Sequence, residues 1–437
     1  MKYHIWTEGC QMNEADSQRL ASAFERMGYS EEKEIEKADV VVLNTCMIRQ
    51  SAEDKALGRL STLKPAKTKN PSMIIGLMGC MVGIKDTREL HKKLPYVDVF
   101  APPSNPKPII DFLIHRELES NFEKAETEIW QDGEITLPES EKHSAVSACV
   151  PIVYGCSHAC AYCIVPYKRG KEMSRDPQEI MAHIRSLAAQ GVKEIILLGQ
   201  IIDRYGNDNT SYPNLSELLK MISDVDGVER IRFLTSHPNW MTDDILDSVA
   251  SLPKVMRHIE VPEQAGNDMV LANMRRGYTD AQYRALIARI REKIPHVSIG
   301  TDIIVGFCGE TESQFEDTYR TLSDLKLNVV HLARYSPRTG TLSERTMPDD
   351  VPDEEKWRRF RAIEKLQKEI QTEINAAYQD QTVSILFEEK HKGNWVGRTE
   401  NMVLVFVQSD QDLTGKILPV HITWTGPWAL KGTLLNN

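Results

Sequence analysis

The segment CSHACAYC constrains this chain most, because it spaces Cys156, Cys160 and Cys163 as C-x3-C-x2-C. Three thiolates on one short loop can hold three irons of a 4Fe–4S cluster and leave the fourth iron open to a small molecule. A zinc site normally needs a fourth protein ligand, and His158 is the candidate inside the loop. The array therefore favours an iron–sulfur cluster, with zinc as the alternative. The apolar run VPIVYG precedes the loop, which places it at the carboxyl end of a predicted strand, where parallel barrels carry their sites.

Three further cysteines, Cys10, Cys46 and Cys80, each close a predicted strand: KYHIWTEG, ADVVVLNT and SMIIGLMG. They are separated by 36 and 34 residues, about one strand–helix unit each. Because the carboxyl ends of parallel strands share one edge of a sheet, these thiols are expected to meet there. We predict a second 4Fe–4S cluster with one open iron; simple burial of small side chains is the alternative. Cys149 and Cys308 lack such partners and are assigned to packing.

The bulk properties indicate a folded cytoplasmic protein. The first residues have no basic start followed by an apolar stretch, and no run of about 18 apolar residues occurs. No membrane partner is therefore expected, and eight cysteines in a cytoplasmic chain are not expected to form disulfides. The net charge of −10 argues against a non-specific RNA coat, although it leaves room for a local basic cleft.

The pattern of apolar segments divides the chain into three folded parts. Residues 1–117 alternate buried strands with helices, which predicts a flavodoxin-like parallel α/β domain. Residues 118–142 are charged and read as a linker. Residues 143–374 contain six strand–helix units, which predict a partial (β/α)6 barrel. Residues 375–437 carry short strands broken by Gly and Asn, the pattern of a small β-barrel.

Long motifs in a fixed order resemble those of the methylthiotransferases, a family of the radical S-adenosylmethionine (SAM) superfamily. They are TEGCQMNEADS, VVLNTC, GCSHACAYCIVPYKRGKEMSR, LLGQ, RIRFLTSHP, TDIIVGFCGET and YSPRTGT. In the tail, GRTENM and LPVHITW resemble the TRAM domain, an RNA-binding barrel. The resemblance covers nearly the whole chain and implies an N-terminal methylthiotransferase domain, a radical SAM core and a TRAM domain.

The motifs TEGCQMNEADS, RFLTSHP and YSPRTGT are most similar to the branch that modifies N6-dimethylallyladenosine at position 37 of tRNA. The resemblance implies methylthio addition at C2 of that base, with SAM as both methyl donor and radical source. It also implies two 4Fe–4S clusters, a tRNA anticodon stem-loop as substrate, a reductant such as flavodoxin, and a sulfur source or carrier. The implied SAM contacts are Tyr162, Gly199, Gln200, Glu260 and Val305.

Four segments depart from the family pattern. NTCMIRQ stands for NTCSVRE, LLGQIID for LLGQNV, EVPEQAGN for a run ending in leucine–proline–valine–glutamine–serine–glycine, and Cys308 for a proline. They bear on the surroundings of Gln200 and Gln264 and leave all six paired cysteines in place. The alternative functions are a methylthiotransferase for threonylcarbamoyl-adenosine 37 or for a ribosomal aspartate, and, from another class, a non-catalytic iron–sulfur RNA-binding protein.

Basic and aromatic side chains suggest where RNA binds. A basic rim for tRNA phosphates is predicted from Lys168, Arg169, Lys171, Arg175, Arg275, Arg276, Arg334 and Arg338. Three tryptophans of the tail are candidates for base stacking or for core packing: Trp395, Trp424 and Trp428. His237 and His331 end or line barrel strands, where we expect satisfied core or supporting histidines.

Overall fold

The structure is a computed structural model, and it describes residues 1–48, 50–85, 87–117, 137–142 and 144–435. The predicted linker therefore lies outside the described residues except for its last part. There, Leu137 is buried in the core of the central barrel, and the backbone N–H of Glu139 donates to the Glu25 carboxylate. The end of the predicted linker is thus packed against both neighbouring domains.

The N-terminal part is a five-stranded parallel sheet in the order β2-β1-β3-β4-β5, which is the flavodoxin-like order. Its strands are β1 (Lys2–Glu8), β2 (Ser30–Glu31), β3 (Val40–Thr45), β4 (Ile74–Gly79) and β5 (Val99–Ala101). Its helices are α1 (Gln11–Arg26), α2 (Gln50–Lys69), α3 (Arg88–Lys93) and α4 (Lys107–Glu117). Strands β3 and β4 are buried along their whole length because helices cover both faces of the sheet. This confirms the predicted fold and adds the short edge strand β2.

The central part is a partial barrel of six parallel strands, as predicted. Strands β6 (Ser147–Pro151), β9 (Glu194–Leu198) and β10 (Arg230–Phe233) form one sheet. Strands β11 (His258–Glu260), β12 (Ser298–Val305) and β13 (Val329–Arg334) form the other. A parallel bridge between Ile231 and Val255 joins the two sheets. Between β6 and β9, an antiparallel pair flanks the cysteine loop: β7 (Val153–Tyr154) and β8 (Met173–Ser174).

Helices cover the outside of the barrel, and their starts follow the sequence signals. They are α5 (Val165–Arg169), α6 (Pro177–Ala189), α7 (Leu215–Ser223), α8 (Asp243–Ser251), α9 (Asp268–Asn273), α10 (Asp280–Lys293), α11 (Glu312–Leu325), α12 (Leu342–Thr346) and α13 (Asp353–Ala376). Asp176 caps α6 by accepting from two backbone N–H groups, with Pro177 in the first turn. Thr279 and Thr311 each form a capping box at the start of α10 and α11.

The C-terminal part is a closed five-stranded barrel in the order β14-β15-β16-β18-β17. Its strands are β14 (Thr382–His391), β15 (Asn394–Arg398), β16 (Leu404–Val407), β17 (Ile417–Thr425) and β18 (Leu430–Leu434). Trp395 lies in its core, whereas Trp424 and Trp428 are 48% and 60% exposed. Of the three tryptophans, only these last two can therefore meet a nucleic acid. Among the described helices, none is long and apolar enough to cross a membrane.

Two buried arginines of β10 attach the C-terminal barrel to the central one. Arg232 donates to the Glu194 carboxylate at 2.7 Å and to the backbone carbonyls of Glu400 and Thr399 at 2.7 and 2.9 Å. Arg230 donates to the carbonyl of Arg398 at 2.8 Å. Apart from Glu194, which lies in β9 of the central barrel, the acceptors of these two guanidinium groups belong to the neighbouring domain.

Candidate functional site

The N-terminal cysteine triad lies at the carboxyl edge of the sheet, as its spacing predicted. Strand pairing places Glu8 opposite Thr45, and Thr45 opposite Gly79. The N–H of Cys46 donates to the Glu8 carbonyl at 2.9 Å, and that of Cys80 to the Thr45 carbonyl at 2.8 Å. Cys10 precedes α1 directly after β1. Because β1 and β3 flank the point where the strand order reverses, this edge is where flavodoxin-like sheets bind ligands.

The three cysteines of this triad are largely shielded from solvent, and their sulfur atoms form hydrogen bonds with neighbouring groups. Burial raises the pKa of the Cys80 thiol to about 11, and the neighbouring Cys46 and Cys10 contribute to the rise. Cys46 accepts from the N–H of Ile48 at 3.3 Å, whereas the Cys10 thiol donates to the Asn13 amide oxygen at 3.4 Å. The three thiols therefore form one local group, in which ligation of a cation would favour the thiolate form.

The second triad occupies the loop between β7 and α5. The N–H of His158 donates to the Cys156 sulfur at 3.4 Å, and Arg276 Nη1 donates to the Cys160 sulfur at 3.2 Å. Burial raises the pKa of the Cys156 thiol to about 11 and that of Cys163 to about 12, with Cys160 adding to both shifts. The loop begins at Gly155, whose φ is +64° and where a Cβ would lie 2.2 Å from the Lys171 carbonyl oxygen. Only glycine fits there.

The donor sets fit iron–sulfur clusters better than zinc. Four zinc ligands at about 2.3 Å from one ion lie within roughly 4 Å of each other. Within the described part of the chain, no group of three or more histidine, cysteine, aspartate or glutamate side chains is arranged to hold a single metal ion. His158 also packs its ring against His237 and Trp240, at centroid distances of 4.8 and 5.3 Å. Each triad offers sulfur donors alone, and three thiolates with one open iron suit a multi-iron cluster.

The residues expected to contact SAM lie around the cysteine loop and at the carboxyl ends of barrel strands. Gly199 and Gln200 follow β9, Glu260 ends β11, Val305 ends β12, and Tyr162 belongs to the loop itself. At Gly199, a Cβ would lie 3.2 Å from both the Val153 Cβ and the Ile202 Cα, so that glycine allows close backbone packing. The side chain of Val305 is fully buried and its carbonyl accepts from the N–H of Tyr335. Val305 can therefore shape the site through its apolar side chain, while its carbonyl oxygen is already a hydrogen-bond acceptor for Tyr335.

Glu260 has the most defined polar surroundings of these five. His258 and His331 approach its carboxylate at 3.1 and 3.2 Å. Burial acts to raise the pKa of Glu260, but the two histidines outweigh it and lower the pKa to about 2. Glu260 is therefore a fixed anion at the strand end, and its supporting partner His331 is half exposed rather than part of the core.

Comparisons with known proteins agree with this architecture. Residues 2–102 match the Uncharacterized protein family UPF0004, residues 150–322 the Radical SAM superfamily and residues 376–435 the TRAM domain. The tRNA-2-methylthio-N(6)-dimethylallyladenosine synthase of Roseiflexus sp. (strain RS-1) is 44% identical, covering 99% of this chain and 89% of that protein. The synthase of the same name from Dehalococcoides mccartyi (strain CBDB1) is 43% identical, covering 99% and 98%. The chain belongs to this synthase family.

Among solved structures, the radical S-adenosylmethionine methyltransferase TsrM from Kitasatospora setae, with cobalamin and a [4Fe-4S] cluster bound, has a TM-score of 0.55. It is 13% identical and covers 76% of this chain and 74% of its own. At that identity the likeness concerns the fold alone. The synthase relatives, which span the full chain, therefore carry the family assignment.

In this member of the synthase family, the prediction that Arg169 belongs to a basic rim for RNA is wrong. Its side chain is buried between the two cysteine domains, where Nη1 donates to Ser104 Oγ at 3.0 Å and Nη2 to Asn13 Oδ1 at 3.1 Å. Its charge also faces Asp16 at 3.9 Å and the thiol of Cys80. The radical SAM core thus places a cation beside the N-terminal triad, where it cannot meet RNA phosphates.

Arg338 and Arg276 are also buried, so the predicted rim is wrong for them too. Arg338 donates to Gln50 Oε1 at 3.0 Å and to Glu53 Oε2 at 3.3 Å, both on α2, and its charge lies near Cys46. Of the predicted rim, Lys171 and Arg275 are exposed. Arg169 and the exposed Lys171 lie in the same cysteine motif, so the sequence carried no signal that distinguished the buried side chain from the exposed one.

His237 is a buried core histidine, but only half of the prediction holds, because its Nε2 has no hydrogen-bond partner among the described residues. Its Nδ1 accepts from the N–H of Asn239 at 3.2 Å, and its ring packs against Trp240 at 4.5 Å. Burial lowers its pKa to about 2, so the ring is neutral. Cys308 is buried, as its assignment to packing requires, and Cys149 is a half-buried residue of β6.

The departure EVPEQAGN places an unusual acid in the barrel core. Glu263 is fully buried, and its carboxylate oxygens accept no hydrogen bond from a donor among the described residues; its polar neighbour is a second carboxyl group, that of Asp280. Burial, and after it the nearby Asp280, raises its pKa well above the ordinary value. The next residue, Gln264, has a φ of +79° and pairs with Ile303 of β12. The departure therefore alters the packing behind a strand end of the site.

Proposed function

We propose that this protein adds a methylthio group to C2 of N6-dimethylallyladenosine at position 37 of tRNA, with SAM as methyl donor and radical source. The observation that carries the proposal is the conjunction of two built cysteine triads, in adjoining domains, in one chain whose full-length relatives bear that synthase name. Each domain has one proposed role. Residues 1–117 and 143–374 each hold one cluster, and residues 375–437 bind the tRNA.

Each triad is proposed to hold one 4Fe–4S cluster. Cys156, Cys160 and Cys163 hold the cluster whose open iron binds SAM, and the N-terminal triad holds the other. When bound, the first cluster supplies the electron that cleaves SAM, which generates a radical able to remove the unactivated hydrogen at C2. The triads lie at strand ends of neighbouring domains, and Arg169 and Arg338 fix those domains against each other.

The chain's own residues bind and orient the cofactor in this proposal. Gly199 allows a close backbone approach at the end of β9, next to Gln200, and Tyr162 supplies a half-buried ring within the cluster loop. Glu260, held as an anion by His258 and His331, is suited to accept hydrogen bonds from the amino or ribose groups of SAM. Val305 closes the pocket by shape.

The C-terminal barrel is proposed to bind the tRNA anticodon stem-loop. Trp424 and Trp428 are exposed on it, and the Lys431 ammonium lies 5.1 Å from the Trp424 ring centroid. An aromatic face beside a cation suits stacking on unpaired bases of a loop. A reductant such as flavodoxin and a sulfur source complete the proposed cytoplasmic partners. Both are needed because the reaction consumes electrons and sulfur that other molecules must supply.

Nucleoside mass spectrometry tests this function directly. A strain lacking the gene should accumulate N6-dimethylallyladenosine and lose its 2-methylthio derivative, and the wild-type gene should restore it. Cys46→Ala and Cys160→Ala serve as matched inactive controls for the two triads. Restoration of a 2-methylthio derivative of threonylcarbamoyl-adenosine instead would assign the protein to the sister branch.

A further inference from the structure

A buried arginine contacts the triad proposed to hold the SAM-cleaving cluster. Arg276 is 5% exposed, and all three of its guanidinium nitrogens are engaged. Nη1 donates to the Cys160 sulfur at 3.2 Å, Nη2 to the Pro262 carbonyl at 3.1 Å and Nε to the Tyr278 hydroxyl at 2.9 Å. This contact brings a buried side-chain cation to the sulfur of a half-buried cysteine that is a proposed cluster ligand.

The surrounding contacts hold this arginine in one orientation. The Tyr278 hydroxyl is itself held by the carbonyl of Glu263 at 2.6 Å. Nearby, the N–H of Ala161 in the cysteine loop donates to the carbonyl of Met274 at 2.9 Å. The loop and the segment carrying Arg276 are therefore joined twice, once through backbone and once through sulfur.

We propose that Arg276 is a positioning residue that raises the reduction potential of the cluster held by Cys156, Cys160 and Cys163. The inference rests on the proposed function for the assignment of that cluster. Reduction adds one electron, and hence one negative charge, to a cluster that three thiolates already make anionic. A buried cation that donates a hydrogen bond to one ligand sulfur stabilises the reduced form more than the oxidised form. The proposed consequence is that a cellular one-electron donor can reduce the cluster.

The test is an EPR-monitored redox titration with dithionite of the anaerobically reconstituted full-length chain. The background variant carries alanine at Cys10, Cys46 and Cys80, so the signal comes from the other cluster alone. Arg276→Gln should shift the reduction equilibrium at least tenfold toward the oxidised cluster, about 59 mV to more negative potential. Arg276→Lys, which keeps the charge, should recover part of that shift. The matched control is Arg275→Gln, an exposed neighbour of the same type, which should leave the potential unchanged.

Iron content is measured on every variant, because it distinguishes loss of the cluster from a change in its reduction potential. About four irons with an unchanged potential in Arg276→Gln would overturn the proposal and leave the proposed function intact. If Arg276→Gln loses its iron, Arg276→Met, which keeps most of the side-chain length without the charge, decides by its potential: a shift to more negative potential supports the proposal, and the background value overturns it. Failure of the proposed function would instead appear as no methylthio product from the fully loaded wild-type enzyme.

Discussion

Replacing Glu263 with leucine should stabilise the central barrel. The carboxyl group is fully buried, no donor among the described residues hydrogen-bonds to its oxygens, and its neighbour Asp280 is another carboxyl group that disfavours the charged form. Such a group destabilises the folded state by about 1–3 kcal/mol. Leucine has nearly the same volume and no polar atoms, so it removes that penalty without opening a large cavity. We expect a gain of about 2 kcal/mol in the free energy of unfolding, which corresponds to about 4–8 °C in the melting temperature of a unit this size.

The gain should depend on pH, with a sign that follows from the raised pKa of Glu263. Below about pH 4.3, the carboxyl group is protonated in both the folded and the unfolded state. Its protonation then does not change the free energy of unfolding with pH. As pH rises above that value, the unfolded chain ionises while the folded chain keeps its proton, so the wild type loses stability. The difference between Glu263→Leu and the wild type should therefore grow between pH 5 and pH 8.

Glu310 provides the matched control, because it is also a buried glutamate but has partners. Its carboxylate accepts from Arg359 at 2.8 Å and from the N–H of Gly306 at 2.6 Å. Glu310→Leu should lower the melting temperature, since it leaves those donors buried. Both variants are measured by anaerobic differential scanning calorimetry of the cluster-loaded chain. If Glu263→Leu melts at or below the wild-type temperature at pH 8, the reasoning about its unpaired carboxyl is refuted.

The remaining predictions concern the clusters and the substrate. Anaerobic reconstitution of the wild type should give about eight irons per chain, and the triple alanine variant of Cys10, Cys46 and Cys80 about four; four irons in both would exclude the second cluster. Cys160→Ala should abolish 5′-deoxyadenosine formation, measured by liquid chromatography, because the proposed SAM-binding cluster loses a ligand. Cys46→Ala should still form it but yield no methylthio product; loss of SAM cleavage with the first cluster intact would contradict this division. In competition, an anticodon stem-loop with dimethylallyladenosine should outcompete one with plain adenosine, since burying the apolar tail contributes a few kcal/mol at about 0.8 kcal/mol per carbon. Equal use of the two stem-loops would argue against a prenyl pocket.

The placement of the cysteines could be predicted because it depends on backbone topology. Apolar runs that alternate with helices dictate parallel strands, and a cysteine just after such a run must lie at the carboxyl edge. Both triads follow from that rule. The two-residue strand β2 carries no apolar run, so the sequence contained no signal for it.

The arginines could not be placed from sequence, because charge alone does not distinguish a solvated side chain from a buried one. Arg169 and Lys171 are two residues apart in one basic run, yet the first is buried against Asn13 and Ser104 and the second is exposed. The acceptors of Arg169 lie in another domain, more than sixty residues away. Trp395 and Trp428 differ in the same way, since only the closure of the barrel decides which ring faces inward.

The attachment of β10 to the C-terminal barrel has a consequence for synthesis of the chain. Arg230 and Arg232 leave the ribosome before their carbonyl partners, which follow 154 to 168 residues later. At about 5–20 residues per second, that interval lasts roughly 8–34 seconds. During it, the carbonyl acceptors of both arginines do not yet exist, and only Arg232 has a partner in its own barrel, the Glu194 carboxylate. A nascent chain cut before residue 398 should therefore remain aggregation-prone and protease-sensitive even with its six barrel strands complete.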